Sequence, residues 1–195
     1  MMAPAVDRVR WTTTDLALFP EEGKRYEIID GVLIVTRAPS WSHQRITGRV
    51  FSVLDRWSQA SGLGEAAINP GIVFTDEDNV IPDVVWVSRD RLALLMDEAE
   101  HLTGAPELVV EVLSPGLRNV ERDRQLKLKL YSQEGVQEYW ILDPALGQVQ
   151  VYRRDQVLLR LTSTLYPKDT LTSPLLPGFT CVLEQIFSGS RSQSL

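Results

Sequence analysis

Apolar residues recur along this chain in two periods, and each switch between them marks an element. Over residues 43–61, Ile46, Val50, Phe51, Val53, Leu54 and Trp57 repeat at helical spacing, which predicts an amphipathic helix ended by Gly62 and Gly64. A second helix is predicted over 120–134, stopped by Gly135, and a shorter one over 89–100 on Leu92, Leu95 and Met96. Thr13-Thr14-Asp15 reads as the cap of a short helix halted by Pro20. Residues 26–36 read as two strands around Asp30-Gly31, a strong hairpin signal. Further strands are predicted over 66–68, 71–74, 81–87, 108–113 and 138–142, with a late hairpin over 148–153 and 157–163. Residues 76–79 read as an acidic turn, and 181–187 as a last short element after Pro167, Pro174 and Pro177. Strands and helices interleaved in this way give an α/β or α+β domain. Its expected span is 12–187, with flexible tails at 1–11 and 188–195.

Within the run Leu108-Val109-Val110-Glu111-Val112-Leu113 one position breaks the apolar pattern. In a strand, Leu108, Val110 and Val112 share one face while Val109, Glu111 and Leu113 share the other, so Glu111 stands among greasy residues on either reading. An ionised carboxylate there costs several kcal/mol unless a metal, a cation or a proton compensates it. Asp83 opens the 84–87 strand, and two acids on neighbouring strands can converge on a hard divalent cation. The plainer readings are a turn residue for Asp83, and for Glu111 a surface position or a partner for an internal arginine. On the 120–134 helix, Asp123, Lys127 and Tyr131 lie along one face, with Lys127 beside the Leu126 and Leu130 stripe. Lys127 then either points inward, to orient water and balance phosphate charge, or forms a surface pair with Asp123. Tyr139-Trp140 reads as core rather than a stacking platform. Arg118, Arg122 and Arg124 are phosphate contacts or simply a solvated helix face.

Composition narrows the setting. Of 195 residues, 44% are hydrophobic and 24% charged, which suits one ordinary globular domain. No apolar run is long enough to span a membrane, and residues 1–10 lack an apolar signal core. The single cysteine, Cys181, rules out an internal disulfide framework and a cysteine-based zinc site. A cytoplasmic protein is expected. The net charge of −6 argues against a broadly basic nucleic-acid surface, yet suits a cluster of acidic metal ligands.

Several segments occur in order: Tyr26-Glu27-Ile28-Ile29-Asp30-Gly31, His43-Gln44-Arg45-Ile46, Ile81-Pro82-Asp83, residues 106–115 around Glu111, and Gly135-Val136-Gln137-Glu138-Tyr139-Trp140 through Pro144. Together they resemble the Uma-two family of restriction-endonuclease-like proteins, a branch of the PD-(D/E)xK nuclease superfamily. The resemblance covers residues 12–187. It implies a mixed central sheet flanked by helices with additional hairpins, hydrolysis of DNA phosphodiester bonds dependent on Mg²⁺ (or Mn²⁺), and a homodimer. No organic cofactor and no membrane partner are implied. Asp83 and Glu111 match the two family acids as metal ligands. The lysine that the superfamily places two residues after the second acid is Leu113 here, and Lys127 takes its place from the following helix. Glu27 matches a further family acid, either a third ligand or a solvent-facing strand residue. His43, Asp123 and Tyr131 are accessory candidates, with a capping or surface role as the alternative for His43.

Overall fold

The computed structural model describes residues 9–20, 23–114 and 117–188, apart from the side chains of 117–123. Its elements are β1 (Lys24–Ile29), β2 (Val32–Arg37), α1 (Trp41–Ser61), β3 (Gly64–Ile68), β4 (Ile72–Thr75), β5 (Asp78–Val80), β6 (Val84–Ser88) and α2 (Arg89–Leu95). There follow β7 (Leu108–Val112), α3 (Leu117–Glu134), β8 (Glu138–Asp143), β9 (Gln148–Asp155), β10 (Leu158–Leu165), β11 (Thr170–Thr172), β12 (Thr180–Val182) and α4 (Glu184–Phe187). Six strands form the main sheet in the order β10-β9-β8-β7-β6-β3. Only β7 and β8 run parallel within it, and parallel neighbours need a long crossover, which α3 supplies. A second sheet has the order β2-β1-β5-β4, and β11 pairs with β12.

The alternation in β7 sorts its residues between two cores. Leu108, Val110 and Val112 join Trp86 and Trp140 against Ile46, Val50 and Leu54 of α1. Val109 joins Tyr139 and Ile141 against Leu130 and Tyr131 of α3, with Ile29, Ile34 and Val80 of the second sheet beyond. Tyr139 and Trp140 are thus core residues, as their strand pattern implies. Glu111 lies on the α3 side of the sheet.

Local chemistry explains the element ends. Asp30 and Gly31 both adopt positive φ, 51° and 69°, which a two-residue turn needs to match strand twist. Ser40 caps α1 by accepting the His43 N–H, so the helix starts at Trp41, two residues before the expected 43. The segment after Thr12 is a 3-10 helix over Thr13–Leu18, closed by Asp15 accepting the Thr12 N–H at 2.8 Å. The helix expected over 89–100 stops at Leu95. Met96 bridges to Leu102, and Asp97 draws the Ala99 and His101 N–H groups into a turn. Asp78 and Asn79, read as turn residues, join β5 beside β1 and β4. Near the N-terminus, Trp11 N–H bonds Gly31 O at 2.9 Å and Arg10 bridges Asp30 and Glu77. Among the described residues no helix is long and apolar enough to cross a membrane.

Two glycines should respond in opposite ways to alanine. A Cβ at Gly64 would meet Val87 O at 2.3 Å and the Trp86 ring at 2.6 Å. Gly64→Ala should therefore cost about 1–3 kcal/mol in urea denaturation. At Gly48, inside α1, nothing lies within 4 Å of the new methyl, so Gly48→Ala should stabilise by about 0.5–1 kcal/mol.

Candidate active site

Asp83 sits one residue before β6, where the antiparallel pairing of Val84 with Val110 carries it toward the end of β7. Its Oδ2 accepts the Val112 N–H at 2.8 Å and lies 3.2 Å from His43 Nε2. Its Oδ1 accepts from Arg25 at 3.3 Å. The arginine also reaches Ile81 O and Asn69 Oδ1. Three elements therefore fix this carboxylate. Burial pushes its pKa up, but the His43 hydrogen bond and charge, the Val112 N–H and the Lys127 charge outweigh that. Asp83 is held below the ordinary carboxylate range.

Glu111 is 8% exposed, and its Oε1 accepts from Lys127 Nζ at 2.8 Å and from Tyr131 Oη at 3.0 Å. Lys127 also donates to Glu27 Oε1 at 3.0 Å, and that same oxygen accepts the Ile81 N–H at 2.9 Å. Glu27 is buried, so the solvent-facing reading of this residue is set aside. Lys127 points inward, bonded to the buried Glu27 and Glu111, while Lys129 is exposed. The cation compensating Glu111 is this lysine and not an internal arginine. Burial pushes the Glu111 carboxyl up to about 7, with Lys127 pulling down and Asp83 and Glu27 pushing up. Burial also opposes the Lys127 charge, but Glu111 and Glu27 overcome it and hold the ammonium above its usual range. Burial and the neighbouring Glu111 charge raise Tyr131.

Arg25, Glu27, His43, Asp83, Glu111 and Lys127 line a cleft of about 630 Å³ bounded by β1, β2, the start of α1, the ends of β6 and β7, and α3, while Tyr131 reaches Glu111 without lining it. The structure brings together Asp83, Glu111, Lys127, Glu27, His43 and Tyr131. The side chain of Asp123 lies outside the described residues. Sequence reasoning missed Arg25. The available signal was its spacing of two from Glu27, which puts both on one face of β1. Arg124, whose role was left open, lines the cleft and pairs with Asp143 at 3.1 Å.

The donor set suits a hard cation. Both bonds to Glu111 use Oε1, so Oε2 of this cleft-lining residue has no hydrogen-bond partner among the described residues. Asp83 is close enough to perturb Glu111. No cluster of three or more His, Cys, Asp or Glu groups arranged for a metal occurs among the described residues. Mg²⁺ needs only one or two carboxylates when phosphate oxygens and water complete its shell.

The main sheet thus carries one acid just before β6 and another within β7, with helices packed against it. Residues 13–184 match the Uma2 family, described as "Putative restriction endonuclease", and the chain belongs to that family. No curated protein matches it. Among solved structures, it is similar to a crystal structure described as a "putative nuclease belonging to DUF820" from Anabaena variabilis. The TM-score is 0.69 and the identity 22%, over 91% of this chain and 97% of the other. That likeness speaks for the fold alone.

Removing the lysine should expose the cost of the buried acids. Lys127→Met should destabilise the protein by about 3–5 kcal/mol in urea at neutral pH with chelator present. Adding Glu111→Gln should recover part of the loss, and additive effects would refute the coupling. In the wild-type protein, the raised Glu111 carboxyl binds a proton more readily folded than unfolded. Its contribution therefore falls as pH rises from about 4.5 through about 7. Glu111→Gln should remove that slope from a pH series of urea midpoints.

Proposed function

We propose that this protein is a divalent-metal-dependent endonuclease that hydrolyses phosphodiester bonds of DNA. The observation that carries the reading is the Lys127 ammonium 2.8 Å from Glu111, in a cleft whose wall also holds Asp83. Asp83 and Glu111 would hold Mg²⁺ or Mn²⁺, with Glu27 as a further ligand. When bound, the cation supplies Lewis-acid polarisation of a phosphoryl oxygen and lowers the pKa of water. Lys127 orients the attacking water and offsets charge that develops on the phosphate. Glu27 and Tyr131 steady that arrangement from either side, Glu27 through Lys127 and Tyr131 through Glu111. Arg25, His43 and the Val112 N–H hold Asp83 at the cleft. The attack is direct, with no covalent enzyme intermediate. In this reading the protein works as a homodimer in the cytoplasm.

A second reading has a specific observation behind it. Lys127 already bonds both Glu27 and Glu111, an arrangement complete without metal. A domain of that kind would bind nucleic acid or a protein without cutting.

Purified protein should nick or cut DNA with Mg²⁺ or Mn²⁺ and stop when chelator is added. Lys127→Ala should lower the rate about 10²–10³-fold. Glu111→Gln, folded by circular dichroism, should also lose activity and weaken Mn²⁺ binding by calorimetry. Cleavage that survives both substitutions would sink the catalytic reading, and absent Mn²⁺ binding at millimolar concentration would favour the second one.

A further inference from the structure

Among the described residues, Trp41 is the most exposed of the aromatic side chains. Trp41 is 86% exposed, although burying a tryptophan is ordinarily among the largest apolar gains a chain can make. It is the first residue of α1, and its neighbours Pro39, Ser40 and His43 line the cleft. The chain reaches it from Arg37, which is exposed and also lines the cleft.

Two cations face each other on the β1–β2 hairpin next to the cleft. Arg37 pairs in register with Lys24 across β1 and β2. Directly opposed residues share a face, and two like charges there are unfavourable. Neither has an ion-pair partner among the described residues, on a chain whose net charge is −6. This uncompensated pair of cations and the uncovered indole, at the two ends of the short segment from Arg37 to Trp41 along the rim of a cleft holding Lys127, combine phosphate and base recognition.

We infer that Trp41, with Lys24 and Arg37, forms an entry platform that receives a single-stranded segment of nucleic acid and feeds it to the cleft. The inference rests on the nuclease reading of that cleft and names the form of its substrate. Trp41 stacks on an unpaired base, a face unavailable inside a continuous duplex. Lys24 and Arg37 neutralise the phosphates beside it. Trp41 is a substrate-positioning residue in this scheme, away from the acids and the lysine.

The test is fluorescence anisotropy of a labelled single-stranded DNA oligonucleotide and of the matching blunt duplex, with chelator present so that neither is cut. The wild-type protein should bind the single strand more tightly than the duplex. Trp41→Ala should weaken single-strand binding about five-fold to a hundred-fold, while Trp41→Phe retains most of it. Lys24→Gln with Arg37→Gln should flatten the logarithmic salt dependence by about 1.4. Equal single-strand affinity of Trp41→Ala and wild type would overturn the inference, as would duplex binding as tight as single-strand binding. So would a Trp41→Ala variant that changes only the oligomeric state in sedimentation. Metal-dependent cleavage indifferent to Trp41 would remove this platform and leave the catalytic reading standing. Trp41-dependent binding without any cleavage would do the reverse.

Discussion

An ammonium held between two buried carboxylates ties together the parts of this fold that have least else in common. Lys127 belongs to α3, Glu111 to a central strand of the main sheet, and Glu27 to the second sheet. Neither acid is tolerable at its depth without the lysine, and the lysine is not tolerable without them. Apolar packing accounts for how α3 lies on the sheet. The charge cluster adds a polar tie to the β1–β2 hairpin, whose Glu27 reaches both Lys127 and the Ile81 N–H beside its apolar contacts with α3.

Asp83 plays a related part with different means. Its carboxylate accepts the Val112 N–H, continuing the link between β6 and β7 past the point where their backbone pairing ends. The same side chain is braced by Arg25 from β1 and His43 from α1. Placement of the acid is therefore over-determined by three elements.

Much of this was legible because local pattern and tertiary outcome agree. The alternation through β7 gave the facing of Glu111, and the i, i+4 spacing on α3 gave Lys127 and Tyr131 a common side. Glu27 became a candidate only through family resemblance, since a glutamate in a half-polar strand carries no signal of burial. Arg25 went unnoticed because it follows a polar turn and looks like ordinary surface charge. The end of α2 depended on the Met96–Leu102 bridge, a contact invisible to local periodicity. β11 and β12 hold three residues each, too few to show alternation.

The Glu27–Lys127 bond spans 100 positions of the chain. During synthesis Glu27 is made well before its lysine partner, so this contact closes a long loop and must form late in folding. The link between the two sheets through Lys127 is therefore a contact of high sequence separation, available only once α3 has docked.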